Sequence, residues 1–279
     1  MAEYFSEEAS VEIVNGRMAA DVDPRMREIM SLLVKHMHAF IKEACISQQE
    51  WETAIRFLTD TGQICSDERQ EFILLSDTLG VSMLVDAITN RRQPGATQNT
   101  VLGPFHVAGA PNRRIGDRIT LDGKGESCVF EGTVVDLEGH AIEGAIIDVW
   151  SDNAEGFYDV QQPDIQPRWN NRGKFVTGAD GRYRFIGIKP VSYPIPADGP
   201  VGRMLKHLGR HPYRPAHMHY IVTASGFQKL VTHTFVGDDE YLSSDAVFGV
   251  KDTLIAPLER IQGGEAEWRS RFDFVLNPL

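Results

Sequence analysis

The hydrophobic spacing of this chain changes period near Gln93-Pro94-Gly95. Before that point apolar residues recur every three or four positions. After it, short β-branched runs alternate with turn residues. A side-chain period of 3.6 does not fit a pleated sheet, and a period of 2 does not fit a helix. The chain must therefore be helical first and sheet-rich afterwards. Its 279 residues, 42% of them hydrophobic, suffice for one large domain or two ordinary ones. The expectation is a mainly β protein: an N-terminal α-helical domain over residues 1–100 and a β-sandwich domain over 101–279.

Within the helical part, Asp23-Pro24 supplies an N-cap and a first-turn proline. Met26, Ile29, Met30, Leu33, Met37, Phe40, Ile41 and Ala44 follow on one face. Ser47 and Glu50 form a capping box that opens a second helix through Trp51, Ile55 and Leu58, ending near Gly62. Asp67 and Gln70 suggest a further box before Phe72, Leu75, Leu79, Leu84, Val85 and Ile88, with a break expected at Gly80.

In the second part, strands are expected over Cys128–Asp136, Ala145–Trp150, Arg182–Ile188, His217–Thr223 and Leu230–Val236. Turns fall at Leu137-Glu138-Gly139-His140 and Gly178-Ala179-Asp180-Gly181. Many short strands with regular turn signals suggest a sandwich. Two long stretches, Ser151–Lys174 and Lys189–Pro215, read as loops, and loops of that length are usually functional.

The net charge of −11 argues against nucleic acid or an anionic membrane as the main partner. No run of eighteen apolar residues is present, so no membrane span is expected. The N-terminal residues lack a basic segment followed by an apolar core, and the three scattered cysteines (Cys45, Cys65, Cys128) form no CxxC pair. A cytoplasmic location is expected.

The residues with chemical promise gather in and beside the long loops. In Arg214-Pro215-Ala216-His217-Met218-His219, two histidines at positions i and i+2 of a strand share one face and can grip one metal ion. Two of only seven tyrosines, Tyr158 and Tyr193, lie in the loops. A phenol beside a strong Lewis acid becomes an anionic oxygen ligand. Two phenolates with two imidazoles suit ferric iron better than zinc, calcium or ferrous iron. Each residue on its own is also compatible with an ordinary role: a packed tyrosine, a surface histidine pair, a paired arginine.

Taken together, the motifs resemble the intradiol ring-cleaving dioxygenases. The blocks are Gly103-Pro104-Phe105, Gly144-Ala145-Ile146-Ile147-Asp148-Val149-Trp150, Gly156-Phe157-Tyr158-Asp159, Gly181-Arg182-Tyr183-Arg184-Phe185, Tyr193-Pro194-Ile195-Pro196 and Arg214 through His219. The resemblance implies one non-haem Fe(III) per chain, held by Tyr158, Tyr193, His217 and His219. It implies an aromatic diol and O2 as substrates, and both oxygen atoms in a muconate-type product. It implies that Tyr193 is the ligand that leaves on substrate binding and, as a phenolate, takes up a substrate proton, and that Arg214 steadies charge developing on the ring. It further implies a homodimer formed through the N-terminal helices, with a lipid-like molecule in the helical interface. His233 stands where catechol-cleaving members usually carry a glutamine, which leaves both a role beside the site and a plain buried strand histidine open.

Within the family, Pro194-Ile195-Pro196 and Ser244-Asp245-Ala246-Val247-Phe248-Gly249-Val250-Lys251 resemble the hydroxyquinol-cleaving group. The implied product is 3-hydroxymuconate, which tautomerises to maleylacetate. Leu74 and Asp77 match pocket positions of that group, where an acidic side chain would accept a hydrogen bond from a third ring hydroxyl. Val101, Leu102, Gly103, Pro104 and Val247 are expected to line the rest of the pocket. Catechol or a chlorocatechol is the alternative substrate, and a non-catalytic binding sandwich is the alternative of another class.

Overall fold

The computed structural model describes residues 4–67 and 69–279. The chain forms two compact units, residues 1–63 and 64–279. The first holds α1 (Ser10–Asn15), α2 (Pro24–Glu43) and α3 (Gln48–Gln63). The expected caps form. The Asp23 carboxylate accepts from the Met26 amide at 2.9 Å. The Ser47 amide donates to Glu50 at 2.9 Å while the Glu50 amide donates back to Ser47 Oγ at 3.3 Å. α3 passes through Gly62 to Gln63, so the glycine does not end it. α2 buries none of its residues, and Met26, Met30, Met37 and Phe40 are exposed. No single described helix is long and apolar enough to cross a membrane.

The second unit opens with α4 (Glu71–Thr78) and α5 (Val81–Thr89), which meet at 77°. Gly80 between them has φ +73°, a left-handed conformation that costs glycine nothing and ends the α4 ladder. The expected Asp67–Gln70 box is absent. Gln70 caps α4 without a side-chain bond and instead donates through Nε2 to the Ser66 carbonyl at 2.6 Å.

The strands are β1 (Ser127–Val135), β2 (Ile146–Trp150), β3 (Arg172–Val176), β4 (Arg182–Ile188), β5 (Tyr193–Pro194), β6 (Tyr213–Arg214), β7 (His217–Thr223), β8 (Leu230–Val236), β9 (Ile255–Ala256), β10 (Leu258–Arg260), β11 (Trp268–Arg271) and β12 (Phe274–Val275). One five-stranded sheet runs β3-β2-β7-β8-β9. The other is built on β1, flanked by β4 on one edge and by β11 and β12 on the other, with β10 beyond β11. β5 and β6 form a separate ribbon. The two sheets enclose one apolar core. Phe130, Val134, Phe185 and Phe274 come from the β1 sheet, and Ile147, Val149, Phe175, Met218, Tyr220 and Val222 from the other. This is the expected sandwich.

The long stretches contain more regular structure than their composition suggests. β3 begins inside the polar segment because Arg172-Gly173-Lys174 carries no apolar alternation, yet it pairs with β2 along its whole length. Within Lys189–Pro215 lies α6 (Pro200–His207), with Gly199 at its N-cap and Pro200 at its first position. The prolines and glycines there punctuate a helix as well as a loop.

Alternation along β7 sets the function of the fold. Met218, Tyr220 and Val222 point into the inter-sheet core, so His217, His219 and Ile221 must point to the opposite, outer face. The long loops cover that face.

The packing of the β1 sheet supplies a test. A Cβ on Gly132 would lie 1.8 Å from the Phe272 carbonyl oxygen. Gly132→Ala is expected to lose about 1–3 kcal/mol in urea unfolding, although alanine ordinarily suits a strand better than glycine. An unchanged or raised midpoint would contradict this packing.

Candidate active site

Strand register and loop closure bring the tyrosine and histidine side chains together. Trp150 on β2 faces His219 across the ladder and stacks on its imidazole, with centroids 4.7 Å apart and planes at 13°. His233 on β8 faces His219 from the other side. In the β5–β6 ribbon, Tyr193 is the direct cross-strand partner of Arg214. Tyr158 follows Gly156, whose added Cβ would meet Tyr193 Cβ at 2.9 Å, so only glycine lets the two loops approach this closely. Asp159, next along, is locked by a buried ion pair to Arg172 on β3 at 2.6 Å and accepts from the Trp169 amide at 3.0 Å. Phe105 stacks on the Tyr158 ring at 4.6 Å.

Four donor atoms converge. Tyr158 Oη lies 2.9 Å from His219 Nε2 and 3.4 Å from Tyr193 Oη, and His217 Nε2 lies 3.2 Å from His219 Nε2. Donors about 2.0–2.1 Å from a shared ion lie about 3 Å from one another, so the spacing fits a single metal. His217 Nδ1 donates to the Pro215 carbonyl at 2.7 Å, which turns the Nε2 lone pair toward the cluster. His217, His219 and His233 are buried, with ligand atoms within 4.8 Å of one another. His233 Nδ1 is bonded to Thr100 Oγ1 at 2.6 Å, while its Nε2 and the Nδ1 of His219 are buried without partners.

Burial holds the site's own phenols and imidazoles neutral. Burial pushes the Tyr158 phenol well above its ordinary range, and neighbouring Tyr193 and Asp152 add to the effect. Burial also raises Tyr193, but less, because the Arg214 guanidinium favours its phenolate. Burial and the charge of Arg214 push His217 down to about 3. His219 and His233 are depressed well below the imidazole range by burial and by their neighbours. The protein alone thus holds two neutral phenols and neutral imidazoles around one point. A bound positive ion would favour the phenolate form of both.

Arg214 is buried and pairs with buried Asp245: Nε to Oδ1 is 3.2 Å and Nη2 to Oδ2 is 3.5 Å. Its remaining arm, Nη1, lies 3.3 Å from His217 Nε2.

Beside this cluster, Leu74 of α4 packs with Ile195, Val247, Leu205 and Ala246. Asp77, half-buried on the same helix, feels the charges of Arg214 and Asp245. A Cβ on Gly103 (φ +76°) would sit 3.1 Å from His219 Cε1, so the Gly103 backbone lies against the imidazole. Val101 is half-buried, and Leu102, Pro104, Pro194 and Pro196 are exposed.

Sequence reasoning gave no role to Trp150, Phe105, Thr100 or Asp245. Trp150, Phe105 and Asp245 stand within motifs that carry the resemblance. Asp245 was hidden because its partner is 31 residues away.

Two family models match the chain: "Dioxygenase" over residues 101–278 and "Catechol dioxygenase N terminus" over 23–97. The chain belongs to the intradiol ring-cleaving dioxygenases. It is 54% identical to a hydroxyquinol 1,2-dioxygenase of Rhizobium sp. (strain MTP-10005), covering 98% of this chain and 96% of that one. It is 34% identical to a catechol 1,2-dioxygenase of Candida albicans, covering 96% and 92%. The crystal structure of hydroxyquinol 1,2-dioxygenase from Pseudomonas putida DLL-E4 superposes with a TM-score of 0.94 at 44% identity, covering 98% and 99%. The sandwich with N-terminal helices is thus the fold of this family.

The buried imidazoles set a pH dependence. Their native pKa values lie below the unfolded value of 6.5, so the unfolded chain binds more protons as the pH falls below 6.5. Their contribution is fully present above pH 6.5 and is lost progressively toward pH 3, with a slope of about 1.4 kcal/mol per pH unit for each imidazole. Metal-free protein is expected to melt at markedly lower temperature at pH 5 than at pH 7.5 in differential scanning calorimetry. A His233→Gln variant should show a shallower dependence. Identical slopes would place His233 outside this linkage.

Proposed function

We propose that this chain opens the ring of hydroxyquinol between its two adjacent hydroxyl-bearing carbons, using one non-haem Fe(III) per chain held by Tyr158, Tyr193, His217 and His219. The observation that carries the reading is the convergence of two phenol oxygens and two imidazole nitrogens at about 3 Å spacing in a buried site. Hard phenolate donors suit the ferric state. When bound, such an ion supplies Lewis-acid activation of the diol toward O2.

The protein's own groups do the rest. Trp150 and Phe105 hold His219 and Tyr158 in place from behind. Tyr193, on a short two-residue strand, would help hold the ion as a phenolate, and that phenolate is the group that takes a substrate hydroxyl proton on Oη. Arg214, opposite it in the ribbon, supports negative charge spreading into the ring. Balance requires that one carbon–carbon bond breaks and both atoms of O2 enter the product, 3-hydroxymuconate, which tautomerises to maleylacetate.

Substrate choice rests on the wall formed by Leu74, Asp77, Ile195 and Val247, completed by Val101, Leu102, Gly103, Pro104, Pro194 and Pro196. Burial raises the Asp77 pKa while a hydrogen bond from Ser82 and the charge of Arg214 oppose the rise. A third ring hydroxyl that donates to this carboxylate offsets part of its desolvation, which catechol cannot do. High identity to a hydroxyquinol enzyme supports the same choice. The iron-loaded protein is expected to be red-brown and to have at least about tenfold higher kcat/KM on hydroxyquinol than on catechol. Asp77→Ala should lower that ratio by about 10–100-fold. Equal or better catechol turnover by the unaltered protein would overturn the substrate assignment.

We further place a homodimer contact on the N-terminal helices. Its support is α2, with Met30, Met37 and Phe40 exposed and no residue buried. A surface groove lined by Ile41, Ile46, Ser47, Gln48 and Trp51 supports placing a lipid-like molecule there. We also read the chain as cytoplasmic, on the scattered spacing of Cys45, Cys65 and Cys128, which form no CxxC pair. Phe40→Glu combined with Met37→Glu is expected to shift sedimentation from dimer to monomer, and an unshifted dimer would move the contact elsewhere.

A further inference from the structure

We infer that Asp245 is the positioning residue for Arg214: it holds the guanidinium so that one arm alone, Nη1, is directed at the reacting centre. The inference deepens the reading of Arg214 given above and rests on it.

The geometry is a closed clamp. Arg214 and Asp245 side chains are 5% and 2% exposed. Nε and Nη2 face the two carboxylate oxygens in the paired fork arrangement, at 3.2 and 3.5 Å. The same oxygens are fixed from the other side. Oδ1 accepts from the Val247 amide at 3.2 Å and Oδ2 from the Gly249 amide at 2.9 Å. The carboxylate therefore cannot rotate without leaving backbone donors unpaired. Gly249 closes the clamp sterically. An added Cβ there would lie 3.0 Å from Arg214 Nη2 and 3.1 Å from Asp245 Oδ2.

What remains free of the clamp is Nη1, 3.3 Å from His217 Nε2. When that nitrogen gives its lone pair to a metal it can no longer accept from Nη1, and the arm becomes available to substrate. A planar guanidinium fixed at two of its nitrogens has a fixed third, which a lysine could not reproduce. Burial works against the Asp245 charge, but Arg214 and the backbone donors outweigh it and keep the carboxyl below its usual range. The clamp also ties chemistry to specificity, because Val247 of the proposed pocket wall donates to the same carboxylate and Asp77 feels the charges of the pair.

The test is a double-mutant cycle with Arg214→Gln, Asp245→Asn and both together, on the iron-loaded enzyme and on the metal-free protein. Arg214→Gln is expected to lower kcat by about 100-fold or more. Asp245→Asn should lower it by at least about tenfold, with iron content and the visible band retained and KM within about threefold. The double variant should be no slower than Arg214→Gln alone, because Asp245 acts only through Arg214. In the metal-free protein, Asp245→Asn should lower the melting temperature less in the Arg214→Gln background than in the parent. If Arg214→Gln leaves kcat intact, the reading of Arg214 itself fails. If it is slow but Asp245→Asn is not, or the two losses multiply, the positioning role of Asp245 is overturned. Should Asp245→Asn not fold, Gly249→Ala presses on the same pair without removing a polar atom. It is expected to slow kcat with the visible band unchanged, and an unchanged kcat would count against the clamp.

Discussion

Everything in the catalytic unit depends on the two-residue alternation of β7. One set of its side chains, Met218, Tyr220 and Val222, is committed to the core between the sheets. The other set, His217 and His219, is thereby committed to the outer face. The site cannot drift relative to the core, because a shift of one residue in the register would exchange the two sets. Hydrophobic burial thus fixes the face on which the imidazoles lie. The neighbouring strands extend this control: β2 lays Trp150 flat on His219, and β8 sets His233 across from it.

The second half of the site comes from loops, and there ion pairs and close backbone approach replace the core as the constraint. Asp159 anchored to Arg172 holds the Tyr158 loop to β3. Gly156 lets that loop touch Tyr193. The ribbon of β5 and β6 couples Tyr193 to Arg214. The asymmetry has a chemical correlate. Tyr158 is enclosed by Phe105 and His219, and its phenol is strongly raised. Tyr193 lies beside Arg214, which offsets part of the same burial. A phenol whose anion is already supported by a fixed cation is the better of the two to exist away from a metal, which agrees with the proposed leaving role of Tyr193.

Periodicity made the helices, the sandwich and the outward histidines legible, because burial on one face leaves a repeating trace in the residues themselves. Gly80 announced its break, and Asp23 and Ser47 their caps. α6 and β3 were illegible for opposite reasons. Pro200 and Gly199 looked like loop composition, and Arg172-Gly173-Lys174 shows no alternation because its pairing to β2, rather than its side chains, makes it a strand. The division of the chain shows the same limit. Period changes near residue 95, yet the compact units divide at residue 63, because α4 and α5 are helical in pattern but belong by contact to the sheet-rich unit. The tyrosines carried no local signal at all. They gained meaning from a resemblance spread over many motifs. Asp245 stood within a motif of the hydroxyquinol-cleaving group, but nothing local tied it to Arg214, 31 residues away.

That α4 belongs with the sandwich bears on how one scaffold could serve different diols. The proposed metal donors sit on β7, on the β5–β6 ribbon and on one loop, whereas Leu74 and Asp77 sit on a helix that precedes every strand. In the proposed reading, the helix senses the far side of the ring while the sheet holds the near side. A change at Asp77 could then alter which ring is accepted without moving a donor atom. The two halves are not independent, however. The Asp245 carboxylate accepts from Arg214 and from the amide of Val247, a residue of the proposed pocket wall. A ring that displaces Val247 would pull on the same carboxylate that aims Arg214. A poorly fitting substrate would thus be penalised in kcat as well as in binding, since misdirection of a fixed cation weakens transition-state support rather than ground-state contact.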